Sequence, residues 1–206
     1  MKSLFPIFVK MEGRLVLVVG AGKVGEQKIR GLLATGAQIR VVALELTDAV
    51  QAWAQSGELT VETRAFLPSD LDNAFLAVVA TSSPKLNEYI FEEAQRRGVL
   101  CNVVDVPEYC DFYYPAVVQR GDLQIAISTA GQSPSLAAQI RGQLERRFGP
   151  GYSDWVAELG ETRRQVLASD LDAESKRELL QSLASREAFE AMTAVHAQVQ
   201  EESAAI

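Results

Sequence analysis

The chain has 206 residues, 48% hydrophobic and 23% charged, enough to bury a core and to hold one large domain or one domain with a smaller companion. Its net charge of −7 speaks against a nucleic-acid or anionic-membrane partner, although a local basic pocket remains compatible with it. Two cysteines, Cys101 and Cys110, are too few for a disulfide framework and fit a reducing compartment.

The opening segment, MKSLFPIFVKMEG, is broken by Pro6 and Lys10. It reads as neither a signal peptide nor a membrane span, so a cytoplasmic protein is expected. Within it, Leu4-Phe5-Pro6-Ile7-Phe8 reads as an extended piece that lies along a sheet or reaches a ligand. Leu15 to Val19 is an apolar, β-branched run that predicts a strand. It ends in Gly20-Ala21-Gly22-Lys23-Val24-Gly25, and a helical pattern follows with Val24, Ile29, Leu32 and Leu33 to pack and Glu26, Lys28 and Arg30 to face water.

Strand, glycine turn and helix in this order give the G-x-G-x-x-G spacing a mechanism. Gly20 permits the tight turn, Gly22 lets a diphosphate approach the backbone, and Gly25 lets the helix sit against the strand. The helix-start N–H groups then face the phosphates. A second strand, Ile39 to Leu44, ends at Glu45, 20 residues beyond Gly25. An acid there commonly takes the adenosine ribose hydroxyls; the plainer reading is a solvated strand end.

Residues 48–56 predict a short helix and Leu59 to Thr63 a third strand. Asp70 or Ser69 is placed to start a helical turn. Phe75 to Ala80 is a continuous apolar run, as in a strand buried on both faces of a parallel sheet. Thr81-Ser82-Ser83-Pro84 follows, read either as a wall for the nicotinamide-side ribose or as plain helix capping. A helix over 85–97 leads to the strand Val99 to Val104, which delivers Asn102 and Asp105 to its C-terminal end. Ligands of open α/β sheets lie outside those ends, so Asp105 becomes the acid–base candidate, its pKa raised by desolvation against a flat apolar ligand.

From Asp111 the pattern changes. Ala116 to Val118, a turn at Arg120-Gly121-Asp122 and Leu123 to Ser128 predict a β-hairpin outside the parallel set. Ser128-Thr129-Ala130-Gly131-Gln132-Ser133-Pro134 is either a capped loop or an anion-binding lip, with Ser133 as N-cap of a helix over 135–148. Arg120 and Arg141 read as carboxylate partners or as solvated charges. Gly149-Pro150-Gly151 breaks the chain, and Tyr152 to Ile206 has helical periodicity: Trp155, Val156 and Leu159, then Leu179, Leu180 and Leu183, then Phe189, Met192 and Val195. Three helices are expected, with a fraying tail from Glu201. His196 reads as a surface or packing residue, and without CxxC, paired histidines or HExxH no resident metal site is expected.

These blocks resemble the precorrin-2 dehydrogenase family of sirohaem synthesis, which includes the bifunctional dehydrogenase/ferrochelatase type and the N-terminal module of sirohaem synthase. The resemblance is carried by Leu4 to Phe8, the Gly20–Gly25 turn, Ala80-Thr81-Ser82 with Asn87, and Cys101-Asn102-Val103-Val104-Asp105. Asp111-Phe112 with Pro115, Ile127-Ser128-Thr129 with Gly131, Ser133-Pro134 and Arg141 carry it further.

The resemblance implies a Rossmann-like NAD-binding domain over 1–112, a hairpin-plus-helix dimerisation segment over 113–148 and a helical domain over 149–206. It implies a homodimer that oxidises precorrin-2 to sirohydrochlorin with NAD+, and leaves open a ferrochelatase activity or a non-catalytic binding module. Asp105 matches the acid–base aspartate, Lys23 and Val24 the diphosphate contacts, Leu44 and Glu45 the pair beside the adenosine. Thr81 and Ser82 join the cofactor set, and Asn102, Ser128, Thr129 and Arg141 the substrate side. The family turn is often three glycines and its later loop often Gly-Gly. Here Ala21 and Ala130 intervene, which is harmless if φ is negative at both.

Overall fold

Aliphatic runs too short for helices become the strands of a parallel sheet. The computed structural model describes residues 4–192; Val195, His196 and the tail from Glu201 lie outside the described residues. Element order is β1 (Leu15–Ala21), α1 (Lys23–Leu33), β2 (Gln38–Leu46), α2 (Asp48–Gln55), β3 (Thr60–Thr63), β4 (Leu76–Val79), α3 (Pro84–Arg97) and β5 (Leu100–Val103). The strands lie in the order β3-β2-β1-β4-β5, all parallel.

Alternation along β1 divides the core in two. Val16 and Val18 join Ile29, Leu32, Val41 and Val50 on the side of α1 and α2. Leu17 and Val19 join Leu71, Ile90, Ala94 and Val103 on the side of α3. This is the period-two geometry of a strand, and each such side chain contributes about 1.5–3 kcal/mol by burial.

Several boundaries move. Strand β1 runs two residues past Val19, because a bulge lets Ala21 pair with Leu46 and lengthens β2 as well. Val24 does not pack: it is 45% exposed in the first turn of α1, whereas Ile29 and Leu32 are buried one and two turns on. Lys28 is half-buried, its ammonium 4.1 Å from the centre of the Tyr114 ring. Asp70 does not start its turn; it is the third residue of the 3-10 turn Pro68–Leu71 and its carboxylate accepts from Leu67 N at 2.8 Å. Phe5, Ile7 and Phe8 belong to no strand and are 85%, 64% and 68% exposed.

The chain divides into two compact units between Tyr114 and Pro115. The second begins with the antiparallel hairpin β6 (Ala116–Arg120) and β7 (Leu123–Ile127), turning at Gly121 with φ +55°. Helix α4 (Pro134–Arg147) packs on it, capped by Ser133, whose hydroxyl accepts from Leu136 N. Arg120 neither pairs with a carboxylate nor stays solvated. Its Nε donates to Phe148 O at 2.8 Å and its Nη2 to Glu145 O at 3.2 Å, satisfying carbonyls at the C-terminus of α4.

After the Gly149–Gly151 break come α5 (Tyr152–Ala168) and α6 (Ala173–Leu183), and a third helical stretch covers residues 186–192. Tyr152 of α5 meets Phe148 edge-on at 5.1 Å and lies tilted against Phe189 of the third stretch at 4.3 Å.

Candidate active site

Strand order reverses at β1, which pairs with β2 on one side and β4 on the other. In an open parallel sheet this leaves a crevice beyond the carboxyl ends of β1 and β4. Gly20 has φ +95°, and a Cβ there would lie 2.4 Å from Ala80 O; a Cβ on Gly25 would lie 2.1 Å from Gly20 O. The glycine turn, the start of α1 and the chain leaving β4 are therefore in backbone contact.

Gly22 is the reverse case. A Cβ there would meet nothing within 4 Å, and as N-cap of α1 it offers no side-chain acceptor to the helix start. Uncapped first-turn N–H groups, the positive end of the helix dipole, and the exposed Lys23 and Val24 together make a cradle that fits a dinucleotide diphosphate. Ala21 keeps a negative φ, so the departure from three glycines costs the turn nothing.

Leu44, 72% exposed, and Glu45, also exposed, stand at the C-terminal end of β2 on the same edge of the sheet. Thr47, which N-caps α2, also bonds the Glu26 side chain; the Thr47 hydroxyl and the Arg30 guanidinium hold the Glu26 carboxyl below its ordinary range.

Beyond β4 the hydroxyl cluster separates by role. Ser83 is the N-cap of α3, accepting from Leu86 N at 3.4 Å. Thr81 is pinned: its Oγ1 donates to Asn87 Oδ1 at 2.6 Å and accepts from Ser83 N at 3.2 Å. Ser82 is left exposed at the apex. Capping thus falls to Ser83 and leaves Ser82 out of it.

Val104 N donates to Val79 O at 2.9 Å, carrying the β4–β5 ladder one bond further. Asp105 follows, so it lies on the same sheet edge as the glycine turn, two inter-strand spacings or about 10 Å from β1. It is exposed, with φ +63°. Few residues other than glycine adopt that conformation, and aspartate is among the more tolerant.

Asn102 is buried. Its Nδ2 donates to Phe112 O at 2.7 Å and lies 3.3 Å from Cys110 Sγ. Asp111 adds two bonds, its N donating to Cys101 O and its carboxylate accepting from Cys101 N, both at 2.8 Å. These contacts seal the free edge of β5 and hold the chain that carries Asp105. Burial pushes the Cys110 thiol above its ordinary value and the Cys101 thiol up to about 12, away from the thiolate form. Among the described residues no three His, Cys, Asp or Glu side chains converge as a metal site.

Ser128, Thr129 and Arg141 belong to the second unit. Thr129 to Gln132 forms a turn closed by Gln132 N donating to Thr129 O at 2.9 Å, with Ala130 at φ +50° and Gly131 at φ +79°. Ala130 therefore departs from the negative φ expected of it. Both central positions of this turn need the left-handed region, which an alanine enters only under strain. Ser128 Oγ accepts from Ala130 N and Thr129 Oγ1 from Ser133 N, each at 3.1 Å. Arg141 pairs with Glu145 at 3.5 Å, both about half exposed.

Residues 7–116 match the family model described as NAD(P)-binding, and residues 120–147 match that of the sirohaem biosynthesis protein central region. The chain is 41% identical over 161 residues to a siroheme synthase of Photorhabdus laumondii, covering 78% of this chain and 34% of the relative. It is 43% identical over 140 residues to siroheme synthase 2 of Klebsiella pneumoniae, covering 68% and 31%. The chain thus spans about a third of the length of these curated relatives. A solved structure of SirC, precorrin-2 dehydrogenase, superposes with a TM-score of 0.80 at 28% identity, covering 96% of this chain and 98% of the other. The chain belongs to the NAD(P)-binding family of modules shared by siroheme synthases and precorrin-2 dehydrogenase.

Proposed function

We propose that this chain is a precorrin-2 dehydrogenase that oxidises precorrin-2 to sirohydrochlorin, with NAD+ as hydride acceptor. The observation that carries the reading is the presence of the glycine cradle and the Asp105 carboxylate on one sheet edge, at a spacing a dinucleotide spans. The likeness to SirC along nearly its whole length supports the same substrate.

Bound NAD+ supplies the redox step by accepting a hydride. The chain's own residues do the rest. The Gly22–Gly25 backbone holds the diphosphate, and Glu45 takes the ribose hydroxyls. That carboxylate repels an extra ribose phosphate, which supports NAD+ over NADP+. Loss of hydride leaves an acidic conjugated ring, and Asp105 accepts the ring proton and passes it to solvent. An exposed aspartate does this well only once the ligand has covered it. Overall, precorrin-2 and NAD+ give sirohydrochlorin, NADH and one proton.

Ser128, Thr129 and Arg141 bind the substrate carboxylates in this reading, and Asn102 contributes by holding the chain beside Asp105. The segment 113–148 joins two copies into a homodimer. A two-stranded hairpin is marginal by itself, and exposed Val117 and Leu136 offer apolar area to a second copy. Among the described residues no helix is long and apolar enough to cross a membrane.

The test is the product spectrum from precorrin-2 and NAD+, run with and without ferrous iron. Sirohydrochlorin in both supports dehydrogenation. A metallated product in the second adds chelation, with Fe2+ as a substrate. A lasting shift in the precorrin-2 spectrum without oxidation makes the chain a carrier instead.

A further inference from the structure

Asn87 stands on the inward stripe of α3 with Ile90 and Ala94, yet it is polar and 7% exposed. A buried amide in that position needs partners, and it finds both in one residue. Its Nδ2 donates to Thr81 O at 3.3 Å, and its Oδ1 accepts from Thr81 Oγ1 at 2.6 Å. The orientation of the amide is fixed by chemistry, because a backbone carbonyl can only accept. Thr81 Oγ1 in turn accepts from Ser83 N, so the stretch from Thr81 to Ser83 at the entrance to α3 hangs from one side chain.

The same stretch of backbone touches the glycine turn, since Ala80 O and Thr81 N lie 2.4 Å and 3.3 Å from where a Gly20 Cβ would be. Asn87 thus fixes the stretch of backbone that packs against the glycine turn. We propose that Asn87 is a positioning residue: it sets the Thr81–Ser82 wall for the nicotinamide-side half of the dinucleotide and leaves the diphosphate cradle to the glycines. The proposal rests on the NAD+ reading above and extends it to a residue that touches no cofactor.

The experiment measures binding of NADH and of ADP to the purified protein by calorimetry, with melting temperature beside each. ADP reports the adenosine–diphosphate half alone. Asn87→Asp keeps the volume but removes the donor to Thr81 O; Thr81→Val keeps the volume and removes the hydroxyl, and carries the test if the first variant does not fold. Expected for either is NADH binding weakened about tenfold, the scale of one lost hydrogen bond, with ADP binding unchanged. Equal weakening of NADH and ADP, or unchanged NADH binding, overturns the positioning role. Wild-type protein that binds ADP and NADH equally well has no nicotinamide-side wall, and that also overturns it. Wild-type protein that binds neither ligand overturns the nucleotide reading itself, and the role of Asn87 with it.

Discussion

A methyl group on Gly25 would stand 2.1 Å from the carbonyl oxygen of Gly20, a separation that real Cβ atoms essentially never show. Turn and helix are packed as tightly as backbone allows, and neither atom belongs to a flexible side chain that could give way.

Gly25→Ala should therefore cost stability, about 2–3 kcal/mol on the scale of an overpacked core. Gly22→Asp, in open space, should leave the melting temperature within a few degrees and abolish NAD+ binding, because a carboxylate then occupies the diphosphate cradle. Thermal melts beside titrations separate the two effects. A Gly22→Asp protein that binds NAD+ normally would contradict the cradle.

At Asp105 the choice of substitution matters. Asparagine tolerates the left-handed backbone about as well as aspartate, whereas alanine adds strain to loss of the carboxylate. Asp105→Asn should keep NAD+ and precorrin-2 affinity and slow turnover by about a hundredfold or more, the ordinary range for a lost general base. Wild-type rates in this variant would leave Asp105 as a strand-end residue only.

Glu45 sets cofactor choice in this account. Glu45→Ala should raise the KM for NAD+ by about tenfold, one charge-assisted hydrogen-bond pair, and narrow the preference over NADP+. A wild-type protein that uses NADP+ as readily as NAD+ would contradict the ribose role.

The buried Asp70 carboxylate takes Arg64 Nη1 and Nη2 at 2.8 and 2.6 Å. Burial alone would raise its pKa, but Arg64 and the Leu67 N–H outweigh it and hold the carboxyl below its ordinary range. A depressed carboxyl stabilises the fold above its unfolded pKa, about 3.9, and that stability is lost as pH falls through the folded value. Asp70→Asn should cost about 2 kcal/mol at neutral pH. That is less than a fully buried broken pair, because Arg64 keeps Glu62 and is one-third exposed. The variant should also flatten the acid limb of the melting curve, which pH-dependent denaturation checks.

The parallel sheet and its edge were legible because continuous apolar runs, glycine spacing and caps such as Ser133-Pro134 are local signals. Asp105 was legible as the residue after an apolar strand, but its positive φ was not, since that depends on how the chain turns beyond β5 toward Asp111. Arg120 read as a carboxylate partner or a solvated charge because its acceptors, the Glu145 and Phe148 carbonyls, lie a helix away in sequence. Asn87 carried a readable sign, a polar residue on an otherwise apolar helical stripe, yet its partner Thr81 emerges only when β4 and α3 are folded back on each other. Ala130 misled in the opposite direction, because its small side chain hides the left-handed turn that a glycine would have announced.

The most direct measurement is the yield of NADH when a known amount of precorrin-2 is mixed with excess NAD+ and the purified protein. The account predicts one NADH for each sirohydrochlorin formed, with the yield reached slowly in Asp105→Asn. Consumption of precorrin-2 without NADH, or no change in either, would contradict it.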